Sequence, residues 1–135
     1  MRMTHLPGLL ALLCSGVVLA DSPTTPPAPI VTPLMTQTLP EYPGKEVQML
    51  AVEYPPGGAE SAHRHDAHGF VYVIEGSIVL GVAGREPVTL TAGQTFHEGP
   101  QDIHTIGRNA SKDKPARFLA VLLKDSNKPA VLPVK

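Results

Sequence analysis

From Lys45 onward the chain alternates short apolar runs with Gly and Pro punctuation, the pattern of an all-β domain. Val47 to Tyr54 forms the first run and ends at Pro55-Pro56-Gly57-Gly58. Phe70 to Ile74 and Ser77 to Val82 flank Glu75-Gly76, which suits a hairpin turn. Val88 to Leu90 leads into Thr91-Ala92-Gly93, Gln94 to Glu98 follows, and a strand runs through His104 after Gly99-Pro100. Phe118 to Lys124 is the last strong run. No window of about twelve residues in this body carries the helical period. So short a β chain hides its edges by closing or stacking its sheets, and a single antiparallel β-barrel or sandwich is the expected fold.

Within the run Phe70 to Ile74, Val71 and Val73 share a face with Gly69 and are expected inward, with Phe70, Tyr72 and Ile74 on the other side. Five consecutive apolar residues predict a strand covered on both faces, by the preceding segment or by a second copy. A homodimer is the expectation from that pattern.

The 135 residues begin with Met1-Arg2-Met3 and an apolar stretch from Leu6 to Ala20 that ends in small residues. These are the charged, apolar and cleavage regions of a secretory signal peptide, expected to be cut after Ala20. An apolar stretch of about fifteen residues is short for a membrane span. The only cysteine, Cys14, falls inside that segment and follows Leu13 where a lipid-attachment signal wants a small residue. The mature chain would therefore carry no thiol, and a periplasmic or secreted location is expected, with no membrane attachment after cleavage. Residues 21–44 are proline-rich and polar, a flexible leader in which Ile30 to Met35 could lie along the body as an edge strand. Residues 45–135 form one domain.

A net charge of −1 and scattered arginines give no nucleic-acid footprint. Serine-hydrolase, phosphate-loop and dinucleotide signatures are missing too. The chemistry points instead to histidine. His63, His65 and His68 crowd one short stretch ahead of Phe70. On an extended segment His63 and His65 share a face, with imidazoles near enough to grip one ion, and His104 could complete the set from across the fold. Three neutral imidazoles suit divalent Fe, Mn, Ni, Cu or Zn and leave coordination positions open.

The spacing of Gly57, His63, His65 and Gly76, followed by Gly93 and His104, resembles the two motifs of the cupin superfamily, specifically a small single-domain cupin of the type-2 kind. The resemblance spans nearly all of Lys45 to Asp125. It implies a double-stranded β-helix, or jelly-roll barrel, with a metal inside it. Several positions depart from the pattern. The glutamate of the first motif falls on Gly69, Gly99 and Gln101 replace the Pro and Gly of the second, and Asn109 comes one position late. Glu98, which shares parity with His104, and His68, which adjoins Gly69, are the candidate replacements for the missing carboxylate; Glu98 is preferred. His97 then faces away. Glu98 is also the candidate general base if it does not ligate. The expected function is that of a metal-dependent, dioxygenase-like oxidoreductase acting on a small organic molecule. A binding protein for a metal or small ligand, a zinc hydrolase and a structural remnant remain as alternatives.

Overall fold

The computed structural model describes residues 24–134; the expected signal peptide, with Cys14, lies outside the described residues. Eleven strands follow one another as β1 (Ile30–Thr38), β2 (Lys45–Tyr54), β3 (Ala59–Glu60), β4 (His63–Arg64), β5 (His68–Glu75), β6 (Ser77–Val82), β7 (Val88–Thr91), β8 (Thr95–Glu98), β9 (His104–Asn109), β10 (Ala116–Asp125) and β11 (Leu132–Pro133). They form two antiparallel sheets. One runs β1-β2-β10-β5-β8; the other runs β11-β4-β9-β6-β7, with β3 also paired to β9.

Alternation in β5 is as the pattern predicts. Gly69, Val71 and Val73 are buried while Phe70, Tyr72 and Ile74 are about half exposed. The inward side chains join Leu50, Val52 and Tyr54 of β2, Ile78 and Leu80 of β6, and Phe118 and Leu122 of β10 in one core between the sheets. Tyr54 and Phe118 meet edge to face at a centroid distance of 5.1 Å.

Two features differ from the sequence-based expectation. Glu75-Gly76 is not the turn of a hairpin, because β5 and β6 belong to different sheets. Gly76 takes φ +74°, and a Cβ there would lie 2.7 Å from the Pro115 carbonyl, so the chain crosses between sheets through a gap only glycine fits. The other concerns the cover of β5: residues 30–38 form β1 and pair with β2 along its length, the edge position open to Ile30 to Met35 in the sequence. Their register shifts between Pro33 and Met35, as suits proline in an edge strand. Because β2 and β10 stand between β1 and β5, the leader does not cover Phe70, Tyr72 and Ile74.

Candidate metal centre

His63 and His104 are direct cross-strand partners on β4 and β9, and both are buried. His65 lies just beyond β4, before Asp66 turns the chain through a left-handed φ of 48° toward the other sheet. That turn also explains His68. The chain re-enters as β5 with His68 outward and Gly69 inward, so His68 takes no part in the centre. The three remaining imidazoles, His63, His65 and His104, offer ring nitrogens that all lie within 4.8 Å of one another. The Nε2 atoms of His63 and His65 are 3.2 Å apart.

Backbone carbonyls orient two of the rings. His63 Nδ1–H donates to the Ser61 carbonyl at 2.9 Å, and His65 Nδ1–H donates to the Ala130 carbonyl at 2.6 Å. A carbonyl can only accept, so each contact places a proton on Nδ1 and leaves Nε2 as the ring atom that could meet an ion.

Glu98 reaches the centre from the opposite sheet. Its Oε1 is 3.0 Å from His65 Nε2, and its Oε2 is 3.8 Å from His104 Nδ1. The register explains why position 69 is glycine. Gly69 faces Glu98 across the β5–β8 ladder, and a Cβ on Gly69 would sit 2.9 Å from Glu98 Cγ and Oε1. The Glu98 side chain fills the space in front of residue 69 and sets its carboxylate beside His65 and His104. His97, one residue earlier on β8, points to the exposed outer face.

A second carboxylate escaped the sequence reading. Glu60 on β3 has its Oε1 3.6 Å from His104 Nδ1 and accepts a hydrogen bond from the Tyr54 hydroxyl at 2.6 Å. Strict alternation from His63 would have sent Glu60 the other way, but the break at Ser61-Ala62 between β3 and β4 resets the parity. A glycine again makes the room. Gly107 pairs with Glu60 on β9, and a Cβ there would lie 2.0 Å from Glu60 Oε1 and 2.7 Å from its Cγ. The signal available in the sequence was Glu60 itself, an acidic residue inside the Gly57-to-His63 spacing. Glu98 is therefore not the only carboxylate available as a base.

Asn109 has a supporting role. Its amide nitrogen lies 3.1, 3.0 and 2.7 Å from the carbonyls of Tyr54, Pro55 and Lys114, and its Oδ1 accepts from the Ser111 amide at 2.8 Å. The side chain thus pins the loop that leads from β2 into β3.

The electrostatics follow from burial and proximity. Burial opposes a charge on His65, but the hydrogen bond to Glu98, the Ala130 carbonyl and the nearby carboxylates outweigh it and raise its pKa. Burial likewise works against Glu98, yet the bond to His65 and the positive fields of the three histidines bring its pKa down. His104 is pushed down, first by burial and then by the neighbouring imidazoles, against the pull of both glutamates. Burial, reinforced by Glu60, drives the Tyr54 hydroxyl upward and keeps it protonated as a donor.

Three buried atoms here, Glu98 Oε2 and both ring nitrogens of His104, have no hydrogen-bond partner among the described residues. Buried polar atoms left in that condition cost about 1–3 kcal/mol each. Coordination to a cation is the chemistry that satisfies a carboxylate oxygen and a ring nitrogen together, so the donor set fits a first-row divalent ion. Around it lies a cavity of about 70 Å³ walled by Leu50, Val52, Val71, Leu80, Phe118 and Leu122. A wider cleft of about 770 Å³, bordered by Lys45, Arg64, Asp66 and Gln101, shares no residue with this centre.

Comparison with known proteins agrees with this architecture. A conserved protein with a double-stranded β-helix domain from Klebsiella pneumoniae superimposes with a TM-score of 0.62 at 18% identity, over 79% of this chain and 86% of that one. A cupin domain from Bordetella pertussis gives 0.59 at 22% identity, over 75% and 98%. Oxalate oxidase in complex with the substrate analogue glycolate gives 0.60 at 25% identity, over 80% of this chain but only 56% of the oxidase chain. Among curated proteins none matches the chain. The family model for the cupin domain matches residues 50–122, more than half the sequence, and with the two-sheet fold this establishes that the chain belongs to the cupin family.

Proposed function

We propose that the protein is an exported cupin in which His63, His65, His104 and Glu98 hold one divalent transition-metal ion, and that it oxidises a small organic molecule with dioxygen. The observation that carries this reading is the convergence of three imidazoles and a carboxylate, drawn from both sheets, with Glu98 Oε2 and both His104 ring nitrogens buried without a hydrogen-bond partner among the described residues. An ion of this kind supplies Lewis acidity and, when it is Fe, Mn or Cu, one-electron chemistry toward dioxygen.

The chain's own residues divide the remaining work. His63 and His65 would present Nε2 to the ion in fixed orientation, and Glu98, 3.0 Å from His65 Nε2, would be the fourth ligand. Glu60, held by the Tyr54 hydroxyl, is the general base, its free oxygen accepting the proton that substrate loses. The apolar walls exclude water.

The cavity limits what can enter. About 70 Å³ admits a molecule of about five non-hydrogen atoms. Two carboxylates and no Lys or Arg line it. A divalent ion there is already balanced in charge, so a neutral molecule or a monoanion is favoured over a dianion such as oxalate. The likeness to oxalate oxidase supports redox chemistry on a compact oxygenated substrate.

Metal-dependent oxygen uptake tests the assignment. Fe-loaded protein should consume dioxygen with small hydroxy acids, keto acids or alcohols, and Glu60→Gln should lower kcat with little change in metal content. Saturable binding without consumption would favour the second reading, a metal or small-ligand binding protein, which the small cavity and altered second motif support.

A homodimer through the outer face of β5 belongs to the same proposal. Phe70, Tyr72 and Ile74 are about half exposed there beside Leu119 and Val121 of β10, and β1 lies too far along the sheet to cover them. A second copy is the occupant that suits this self-complementary apolar face. Sedimentation should report a dimer that Tyr72→Lys converts to monomer; a wild-type monomer would reject the pairing.

A further inference from the structure

We infer that the groove between the proline-rich leader and the C-terminal strand is the outer part of the substrate site, and that the substrate carries an uncharged apolar tail that lies in it. This deepens the proposed function and rests on it. The groove has a volume of about 480 Å³ and is bordered by Pro26, Pro29, Ala62 and Pro133. Val31, Glu60, His63 and Val131 line both the groove and the inner cavity, so the two spaces meet at residues of the centre itself. The wider charged cleft touches none of them. The limit of about five non-hydrogen atoms then applies to the head of the substrate in the inner cavity, and the tail extends outward.

Both walls are anchored on the centre. Val31 is the cross-strand partner of Val52 and shares its inward face, yet Val52 is 7% exposed and Val31 is 51% exposed, because the inner face of the sheet opens to solvent there. The leader just before it is tied down where the Pro27 carbonyl accepts from the Ala59 amide at 3.0 Å, next to Glu60. On the other wall the Ala130 carbonyl accepts from His65, and Leu132 and Pro133 pair with Arg64 and His63, which leaves Val131 half exposed at the mouth. Prolines hold such a wall in shape before binding and lower the entropy lost when a ligand arrives. Among the described residues that line the groove, Glu60 and His63 alone can carry charge. An apolar tail gains from burial there, whereas a charged one would find no cation to pair with.

Calorimetric titration of the Zn-loaded full chain with straight-chain monocarboxylates, from acetate to octanoate, tests the inference. Affinity should rise about two- to fourfold with each added methylene. Val31→Asp and Val131→Asp, on the two separate walls, should each lower the ratio of hexanoate to acetate affinity by at least about tenfold. Tyr72→Lys, on the outer face of β5, should keep that ratio. Metal analysis of each sample reads the centre separately. A flat series on the Zn-loaded wild type, or a rise that persists in both valine variants, would overturn the inference and leave the metal centre standing. A wild type that holds no Zn would contradict the proposed centre, and the inference with it.

Discussion

The buried centre and the surface pair of His68 and His97 bring histidine nitrogens to nearly the same separation, 3.2 Å and 3.1 Å, in contrasting surroundings. Inside, two rings are anchored by carbonyls, a third comes from the facing strand, and Glu98 and Glu60 supply negative charge in an apolar cavity. Outside, two rings stand in water beside Phe70. Separation alone does not make a chelate: the His63 and His65 rings meet at 81° with centroids 4.8 Å apart, whereas His68 and His97 lie end to end and nearly coplanar in a hydrogen bond. Burial, a third converging imidazole and the glycines that admit the carboxylates set the inner cluster apart.

The largest effect should come from the triad. His63→Ala or His104→Ala should abolish metal at the centre, as measured by metal analysis after dialysis, while His68→Ala and His97→Ala should leave it in place. Metal lost from His68→Ala or His97→Ala as well would mean that the two regions are not independent.

Glu98→Ala should weaken ion binding at the centre by more than the about 10- to 100-fold found when only a supporting partner of a metal site is removed, because a ligand itself is lost. Gly69→Glu alone should destabilise the fold, because its side chain would enter space held by Glu98. Combined with Glu98→Gly it should recover both stability and metal binding. Failure of that exchange, read by calorimetry, would show that the carboxylate must come from β8.

A smaller effect is expected from Gly107→Ala, which forces Glu60 aside and breaks its bond to Tyr54. kcat should fall more than metal affinity. Ion binding at the buried centre should also respond to pH. Nε2 of His65 must lose its proton to ligate, and Glu98 raises that proton's affinity. Ion uptake at the centre should therefore release a proton and weaken as pH falls through the raised value. Calorimetry in buffers of different ionisation enthalpy measures that release.

Much of this was readable from residue order. Two-residue alternation gave the inward valines of β5 and the shared face of His63 and His65, while Glu98 followed from parity with His104. Parity failed where the chain breaks its period. Asp66 sends His68 outward, Gly76 carries the chain between sheets instead of around a hairpin, and Ser61-Ala62 turns Glu60 into the centre. Short strands joined by irregular residues lose phase at each junction, and only coordinates restore it. The Gly69 and Gly107 cradles were equally hidden, because each is defined by a cross-strand partner distant in sequence.

X-ray absorption at the metal edge of the Fe- or Zn-loaded protein, holding one ion per chain, tests the central claim most directly. The account predicts imidazole scattering from three ligands at about 2.0–2.1 Å together with a carboxylate oxygen, unchanged in His68→Ala and reduced in His63→Ala. A spectrum without imidazole scattering, or one that His63→Ala leaves intact, would contradict it.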